Sequence, residues 1–252
     1  MENKIALVTG GSRGLGKSMA LHLAKKGVDV IITYHSRQEE AANVVKEIEA
    51  LGQKAIALKL DVADIDSLAG FMEEAVLHLR QKWNTGAFDF LINNAGTGAT
   101  LPFQDATPGD FDALLNVHFK GVYFLTQKAL PLLNNNGRII NISSGTTRFA
   151  NPGYSIYASM KGAIETFTMY LAKEAGPRGI TANVVAPGPI ETDFNHAAIR
   201  NNPQFKAQLA SLTAMGRTGE PNDIGGIIAF LCSDESRWIT AQRIEASGGI
   251  RL

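Results

Sequence analysis

The side chains of this sequence whose types and spacing point most directly to chemistry are Ser144, Tyr157 and Lys161, within the run SGTTRFANPGYSIYASMKG that begins at Ser144. If the segment around Tyr157 is helical, Lys161 lies one turn further along on the same face, so a phenol and an ammonium can share a partner. The preceding run, Arg138 to Ser143, is apolar enough to read as a buried strand, and Ser144 then emerges at the strand's carboxyl edge beside that helix. A hydroxyl, a phenol and a cation grouped in this way suit proton transfer to or from an oxygen atom.

The rest of the chain must deliver something to that site. Lys4 to Val8 reads as a first strand, followed by TGGSRGLG from Thr9 to Gly16 and a helical pattern ending near Gly27. Strands are then expected at Val28 to Tyr34, Lys54 to Leu60, Phe88 to Ile92, Arg138 to Ile142, Ile180 to Val185 and Arg243 to Ala246. Helical periodicity fills the intervals, at Gln38 to Leu51, Ile65 to Leu79, a single long helix from Pro108 to Leu133, the Tyr157 helix to about Glu174, and Glu220 to Leu231. Arg80 to Gly86 reads as a surface loop. Strands alternating with helices of this length imply an α/β fold, a doubly wound parallel sheet of seven strands with helices on both faces, in one domain spanning residues 1–252. Residues 189–215, polar and broken into one or two helices, read as a lid.

The glycines after the first strand suggest what is delivered. Gly10, Gly14 and Gly16, with Ser12, Arg13 and Leu15 among them, allow a tight turn close to a pyrophosphate at a helix amino end. The second strand ends in Tyr34, His35, Ser36 and Arg37, with no carboxylate to take a ribose 2′-hydroxyl. Arg13 and Arg37, helped by Ser36 and His35, instead form a clamp for a 2′-phosphate, which favours NADP(H) and leaves NAD(H) possible. Asp61 and Val62 bound the adenine, and Asn94, Ala95 and Gly96 at the end of the fourth strand let a ribose lie against the backbone.

Composition removes several classes of partner. Twenty-four acidic and 24 basic residues leave no footprint for nucleic acid or an anionic membrane. Cys232 is the only cysteine and sits in an apolar run, and the five histidines lack metal-ligand spacing, so no metal is expected. The first strand starts by Ile5 and no apolar run reaches the length of a membrane span, which points to a soluble cytoplasmic protein.

Taken together, TGGSRGLG, Asp61, NNAG at Asn93 to Gly96, Asn116, Ser144, YASMK at Tyr157 to Lys161 and PGPIET at Pro187 to Thr192 resemble the short-chain dehydrogenase/reductase family over essentially the whole chain. The resemblance implies strand order 3214567, NAD(P)-dependent oxidation of alcohols or reduction of carbonyls, and assembly as a homotetramer. It also implies roles for single residues: Tyr157 as general acid/base, Lys161 as its electrostatic partner and ribose ligand, Ser144 as carbonyl positioner, and Asn116 as holder of a proton-relay water. Pro187, Gly188, Ile190 and Thr192 join Tyr157 and Lys161 as cofactor contacts. An adjacent ammonium and an oxidised nicotinamide are expected to lower the Tyr157 pKa. Thr240, Ala241, Gln242 and Ser247 depart from the family's usual TGQ and DGG; they are expected to lie away from the catalytic residues and to adjust packing at an oligomer interface.

Similarity to 3-oxoacyl-carrier-protein reductases raises that activity as one alternative, but Asn134, Asn135 and Asn136 supply no charge where an acidic carrier would dock. A small hydrophobic ketone or aldehyde fits better, with Thr146, Phe149, Pro189, Phe194, Phe205 and Leu209 as walls. A catalytically silent dinucleotide sensor is the alternative from another class, and the intact Ser144, Tyr157 and Lys161 count against it.

Overall fold

The residues of the first strand, β1 (Ile5–Val8), divide by parity: Ile5 and Leu7 pack into one apolar layer, Ala6 and Val8 into another. The two-residue side-chain period of a strand requires this when both faces of a sheet are covered. In the computed structural model, which describes residues 4–252, the same division runs through a seven-stranded parallel sheet. Its other strands are β2 (Asp29–Tyr34), β3 (Ala55–Lys59), β4 (Phe88–Asn93), β5 (Leu133–Ile142), β6 (Thr181–Pro187) and β7 (Arg243–Ala246). The spatial order is β3-β2-β1-β4-β5-β6-β7.

The helices α1 (Gly14–Lys25), α2 (Gln38–Ala50) and α9 (Pro221–Leu231) cover one face, burying Met19, Leu23, Val44, Ile48, Ile224 and Ile228 against Val8 and Ile32. The other face is covered by α3 (Leu68–Trp83), α5 (Gly121–Ala129) and α6 (Ser155–Ala175), which bury Phe71, Leu79, Leu125, Leu171 and Ala175 against Leu7 and Leu91. Strand order reverses between β1 and β4, so the crevice at their carboxyl ends is the switch point where such sheets bind ligands.

Two sequence expectations are corrected here. Arg80 to Trp83 continue α3 rather than forming a surface loop. Trp83 packs against the core and its indole N–H donates to Asp29 at 2.8 Å, while Lys82 donates to the Ala55 carbonyl at 2.7 Å. These polar side chains carry the helix on because each finds a partner at the β2–β3 edge. The expected single helix from Pro108 to Leu133 is α4 (Pro108–Leu115), a π turn (Asn116–Lys120), α5 and a 3-10 turn, with β5 starting at Leu133. Thr107 caps α4 in a reciprocal box with Asp110. The register slips between Phe88 and Phe90 where the exposed Asn134–Asn136 stretch bulges from β5.

Asp29 is 1% exposed and accepts from the Trp83 indole and the Lys54 amide, each at 2.8 Å. Its replacement leaves both donors without that partner, so Asp29→Ala should lower unfolding free energy by about 2–4 kcal/mol. Urea denaturation measures this, and a loss below about 1 kcal/mol would contradict the role given to the Trp83 tether.

Candidate active site

Thr9, at the end of β1, ties the switch point together. Its Oγ1 accepts from the amides of Asn94 (2.9 Å) and Ala95 (3.0 Å), and Asn94 Nδ2 returns a bond to the Thr9 carbonyl at 2.8 Å and to that of Gly10 at 3.2 Å. The glycine turn is thereby fixed to the end of β4. A Cβ on Gly16 would lie 2.2 Å from the Gly10 carbonyl oxygen, so only glycine lets the turn close this far. The first turn of α1 holds no acidic residue, leaving its amide groups facing the crevice as an anion site. Ser12 and Leu15 lie in this turn, and Thr192 packs beside Gly14.

Exposed side chains rim the crevice at the ends of β2 and β3. Arg37 donates to Glu40 at 2.9 Å and Arg13 to Asp193 at 3.5 Å; neither pair is buried, so both guanidiniums can turn to a phosphate at small cost. His35 Nε2 lies 3.6 Å from Asp61, which the sequence reading left as an adenine acceptor alone. Ser36 is exposed, Tyr34 is half-buried and packs on the core, and Val62 is buried. At the opposite end Pro187 closes β6, Gly188 N–H bonds the Ala246 carbonyl at 3.0 Å, and Ile190 bridges to Gly219.

Tyr157 and Lys161 lie on α6, as the spacing predicts, and both are buried. Lys161 Nζ donates to the Ile142 carbonyl at 2.7 Å and lies 5.7 Å from the centre of the Tyr157 ring. Burial pulls the Lys161 pKa down to about 8. Burial also pushes the Tyr157 phenol up to about 12, against a lowering by its hydrogen bond with Ser144. The expected lowering of the tyrosine is therefore reversed in the protein alone, because desolvation of a phenolate outweighs the stabilising contacts. Ser144 Oγ accepts from the Thr146 amide (3.2 Å) and hydroxyl (3.0 Å), which leaves its own O–H to donate.

The helix residue against Tyr157 is His118. Its ring meets the phenol edge-on at 5.0 Å, and Nε2 lies 2.7 Å from the Thr97 carbonyl. Asn116, two residues earlier, starts the π turn, and its carbonyl accepts from Gly121 N–H. Sequence reading missed His118; the one available signal was its place three residues ahead of Gly121 within a helix facing the Tyr157 segment.

Beneath Ser144 lies a charged network that sequence reading also missed. Arg243 donates to Glu165 (2.8 Å), Glu245 (3.0 Å), Thr147 (2.9 Å) and the Ser144 carbonyl (3.4 Å). Glu245 is forked by Arg148 at 2.7 Å and takes Ser247 at 2.6 Å, while Ser143 donates to Glu165 at 2.6 Å. Of the departures from the family pattern, Ser247 is thus built into the support of the serine turn through Glu245, whereas Thr240 and Gln242 bond to β6 at Ala182 and Asn183. Among the expected walls, Phe194 stands 6.1 Å from Tyr157, Thr146 is bonded to Ser144, and the Phe149 ring has the guanidiniums of Arg148 and Arg251 at 5.5 and 5.4 Å from its centre. Pro189 lines a neighbouring cavity with Ile190, Met215 and Ile227, and Phe205 and Leu209 lie on α8 (Pro203–Ser211), which follows α7 (Phe194–Asn201).

A family model described as Enoyl-(Acyl carrier protein) reductase matches residues 10–251. An uncharacterized oxidoreductase of Methylorubrum extorquens is 39% identical over 251 residues, covering 100% of this chain and 99% of its own. A hydroxynaphthalene reductase-like protein Arp2 of Metarhizium majus is 35% identical over 99% of this chain and 95% of its own. Among solved structures, the angucycline C-6 ketoreductase LanV with bound NADP superposes with a TM-score of 0.94 at 36% identity, over 99% of this chain and 96% of that one. The same ketoreductase with NADP and rabelomycin gives 0.91 at 36% identity, with the same coverage.

Removing the Arg243 guanidinium should free the turn that carries Ser144. In Arg243→Met, amide hydrogen exchange at Thr146 to Phe149 should accelerate by roughly tenfold or more, with β1 unchanged. Unaltered exchange in that turn would show that the network does not hold it.

Proposed function

Because the chain belongs to the short-chain dehydrogenase/reductase family, we propose that it works as an NADPH-dependent reductase of a small hydrophobic ketone or aldehyde, with Tyr157 as the acid. That the chain is an NAD(P)-dependent oxidoreductase acting on carbonyl or CH–OH groups follows from its relatives; direction, substrate and residue roles are the proposal. The observation that carries it is the buried Tyr157 and Lys161 on one face of α6, with Lys161 bonded to the last carbonyl of β5 and Ser144 just beyond that strand.

The pyrophosphate of the cofactor would be held by Gly10, Ser12, Arg13, Gly14, Leu15 and Gly16, its 2′-phosphate by Arg13, Ser36 and Arg37 with His35 and Tyr34 alongside, and its adenine by Asp61 and Val62. Asn94, Ala95, Gly96, Tyr157, Lys161, Pro187, Gly188, Ile190 and Thr192 would hold the nicotinamide half. When bound, it supplies hydride to the carbonyl carbon. NADP in the LanV structure supports the choice of the phosphorylated dinucleotide.

Ser144 turns its O–H, which bonds the Tyr157 phenol in the protein alone, to donate to the substrate oxygen and fix its position. Tyr157 then gives up its Oη proton to that oxygen as it becomes an alcohol. Lys161, with one N–H committed to Ile142, turns its positive charge toward the phenolate left behind and stabilises it. Phe194 and the helices after it form the lid, and the apolar residues they offer match a hydrophobic substrate. Glu191 anchors the lid through Lys206 at 2.7 Å and Thr218 at 2.6 Å, and Arg217 forks Asp223 at 2.7 and 2.9 Å. Assembly as a homotetramer belongs to the same proposal, supported by the exposed apolar surface of Met169, Tyr170 and Phe230. No helix among the described residues is long and apolar enough to cross a membrane.

Three measurements test the reading. Tyr157→Phe should cut turnover by a factor of about 100 or more while NADPH binding, followed by fluorescence, stays within about twofold; undiminished turnover would remove the acid role. The Lys161 ammonium exists below its pKa of about 8 and is lost as pH rises through it, whereas Tyr157 keeps its proton across this range. The reductive rate should accordingly be level below pH 7 and fall above about pH 8, and a profile flat to pH 9.5 would contradict the need for that charge. Arg37→Ala should raise KM for NADPH about tenfold and leave that for NADH nearly unchanged; equal effects on both would remove the phosphate clamp.

A further inference from the structure

Tyr157, Lys161 and Glu165 follow one another at four-residue intervals on α6, and a helix places residues so spaced on one face. Each meets one of three consecutive residues where β5 ends. Lys161 donates to the Ile142 carbonyl at 2.7 Å, Glu165 accepts from the Ser143 hydroxyl at 2.6 Å, and Tyr157 bonds the Ser144 hydroxyl. The first and last of these side chains serve the substrate oxygen and its proton. Glu165 bonds instead to the turn around Ser144.

The Glu165 contacts converge on a single atom. Its Oε1 accepts from Ser143 Oγ at 2.6 Å, from Thr147 Oγ1 at 2.8 Å and from Arg243 Nε at 2.8 Å. Ser143 precedes Ser144 and Thr147 follows it by three residues, so one oxygen grips the serine turn from both sides. Arg243 closes the ring, reaching the Thr147 hydroxyl at 2.9 Å and the Ser144 carbonyl at 3.4 Å. A carboxylate oxygen accepts without donating, so it can take two hydroxyls and a guanidinium together, and the bond from Ser143 has the length of a charge-assisted one. The turn needs such help: Gly145–Thr147 is a 3-10 turn of three residues, whose own hydrogen-bond geometry is poor.

Ser144 and Tyr157 come from different elements, so their separation is set by bonds between those elements. The Lys161 bond fixes the end of the strand, and the Glu165 bonds fix the turn beyond it. On the footing of the reductase reading above, we propose that Glu165 is a positioning residue for carbonyl reduction: its carboxylate registers the serine turn against the helix that carries Tyr157, so that Ser144 and Tyr157 meet the same substrate oxygen. Glu165 moves no proton and acts only through the placement of Ser144. A misplacement of about 1 Å in such a pair costs on the order of a hundredfold in rate.

A double-mutant cycle with Ser144 separates this role from a merely structural one, read as kcat for reduction of benzil by NADPH. Glu165→Ala should lower kcat by about tenfold or more while KM for NADPH stays within about twofold. Glu165→Gln keeps an oxygen toward Ser143 and gives up the charge facing Arg243, and should lose less, about threefold. In the Ser144→Ala background either substitution should cost less than about twofold, because the group that Glu165 places is gone. Amide exchange at Thr146 and Thr147 in cofactor-free Glu165→Ala should accelerate by about tenfold or more, with β1 unchanged. A general weakening of the fold would instead lower kcat by the same factor in both backgrounds. That result, an unaltered kcat in Glu165→Ala, or unaltered exchange in the turn would overturn the inference while leaving the reductase reading standing. If Glu165→Ala does not fold, the cycle with Glu165→Gln decides: a loss that vanishes in Ser144→Ala supports the role, and a loss equal in both backgrounds overturns it. A parent protein that binds NADPH but reduces neither benzil nor any other ketone or aldehyde would overturn both.

Discussion

A lysine almost wholly out of water, bonded to the last carbonyl of a buried strand, sets the terms for the rest of this molecule. Desolvation works against the Lys161 charge, and the Ile142 carbonyl at 2.7 Å is the partner that offsets it. That bond requires the end of β5 to stay where β4 and β6 hold it and α6 to pack with Ile164, Leu171 and Ala175 turned inward. The polar chain Thr126, Asn93, Asn141 and Thr168 crosses the sheet just below, with bonds of 2.8–2.9 Å between α5, β4, β5 and α6. Paired in this way, buried polar side chains fix the relative setting of elements that apolar contacts alone would let slide.

The same desolvation holds the phenol in its protonated form in the protein alone. Tyr157 and Lys161 are both pushed toward their neutral forms, the one up and the other down. A neutral phenol keeps its proton until an oxygen of greater basicity forms beside it, which is the behaviour that carbonyl reduction needs. Around this pair the protein spends polar groups freely: Ser144 is aimed by Thr146, its turn is braced by Arg243 and Glu165, and the glycine turn is locked by Thr9 and Asn94.

Much of this was legible from residue order. Strand and helix alternation predicted the sheet, its burial on both faces and the position of the glycine turn, because apolar periodicity and glycine placement are local signals. The Tyr157 to Lys161 spacing predicted their common face for the same reason. What was not legible depended on contacts between distant parts of the chain. The continuation of α3 through Trp83 is fixed by Asp29, 54 residues away, and the role of Arg243 by Ser144 and Glu165, 99 and 78 residues away. A π turn leaves no periodic mark over five residues, so the face presented by His118 could not be separated from that of Asn116. In the protein alone the Tyr157 shift runs upward, because burial outweighs the lowering by the Ser144 hydrogen bond.

Tyr157 keeps its proton in a dry site, and carbon-13 NMR of tyrosine labelled at Cζ reads that state directly. One resonance, absent from Tyr157→Phe, should remain at the phenol position from pH 6 to pH 10 in the protein without cofactor. Movement of that resonance to the phenolate position below pH 8 would contradict the account.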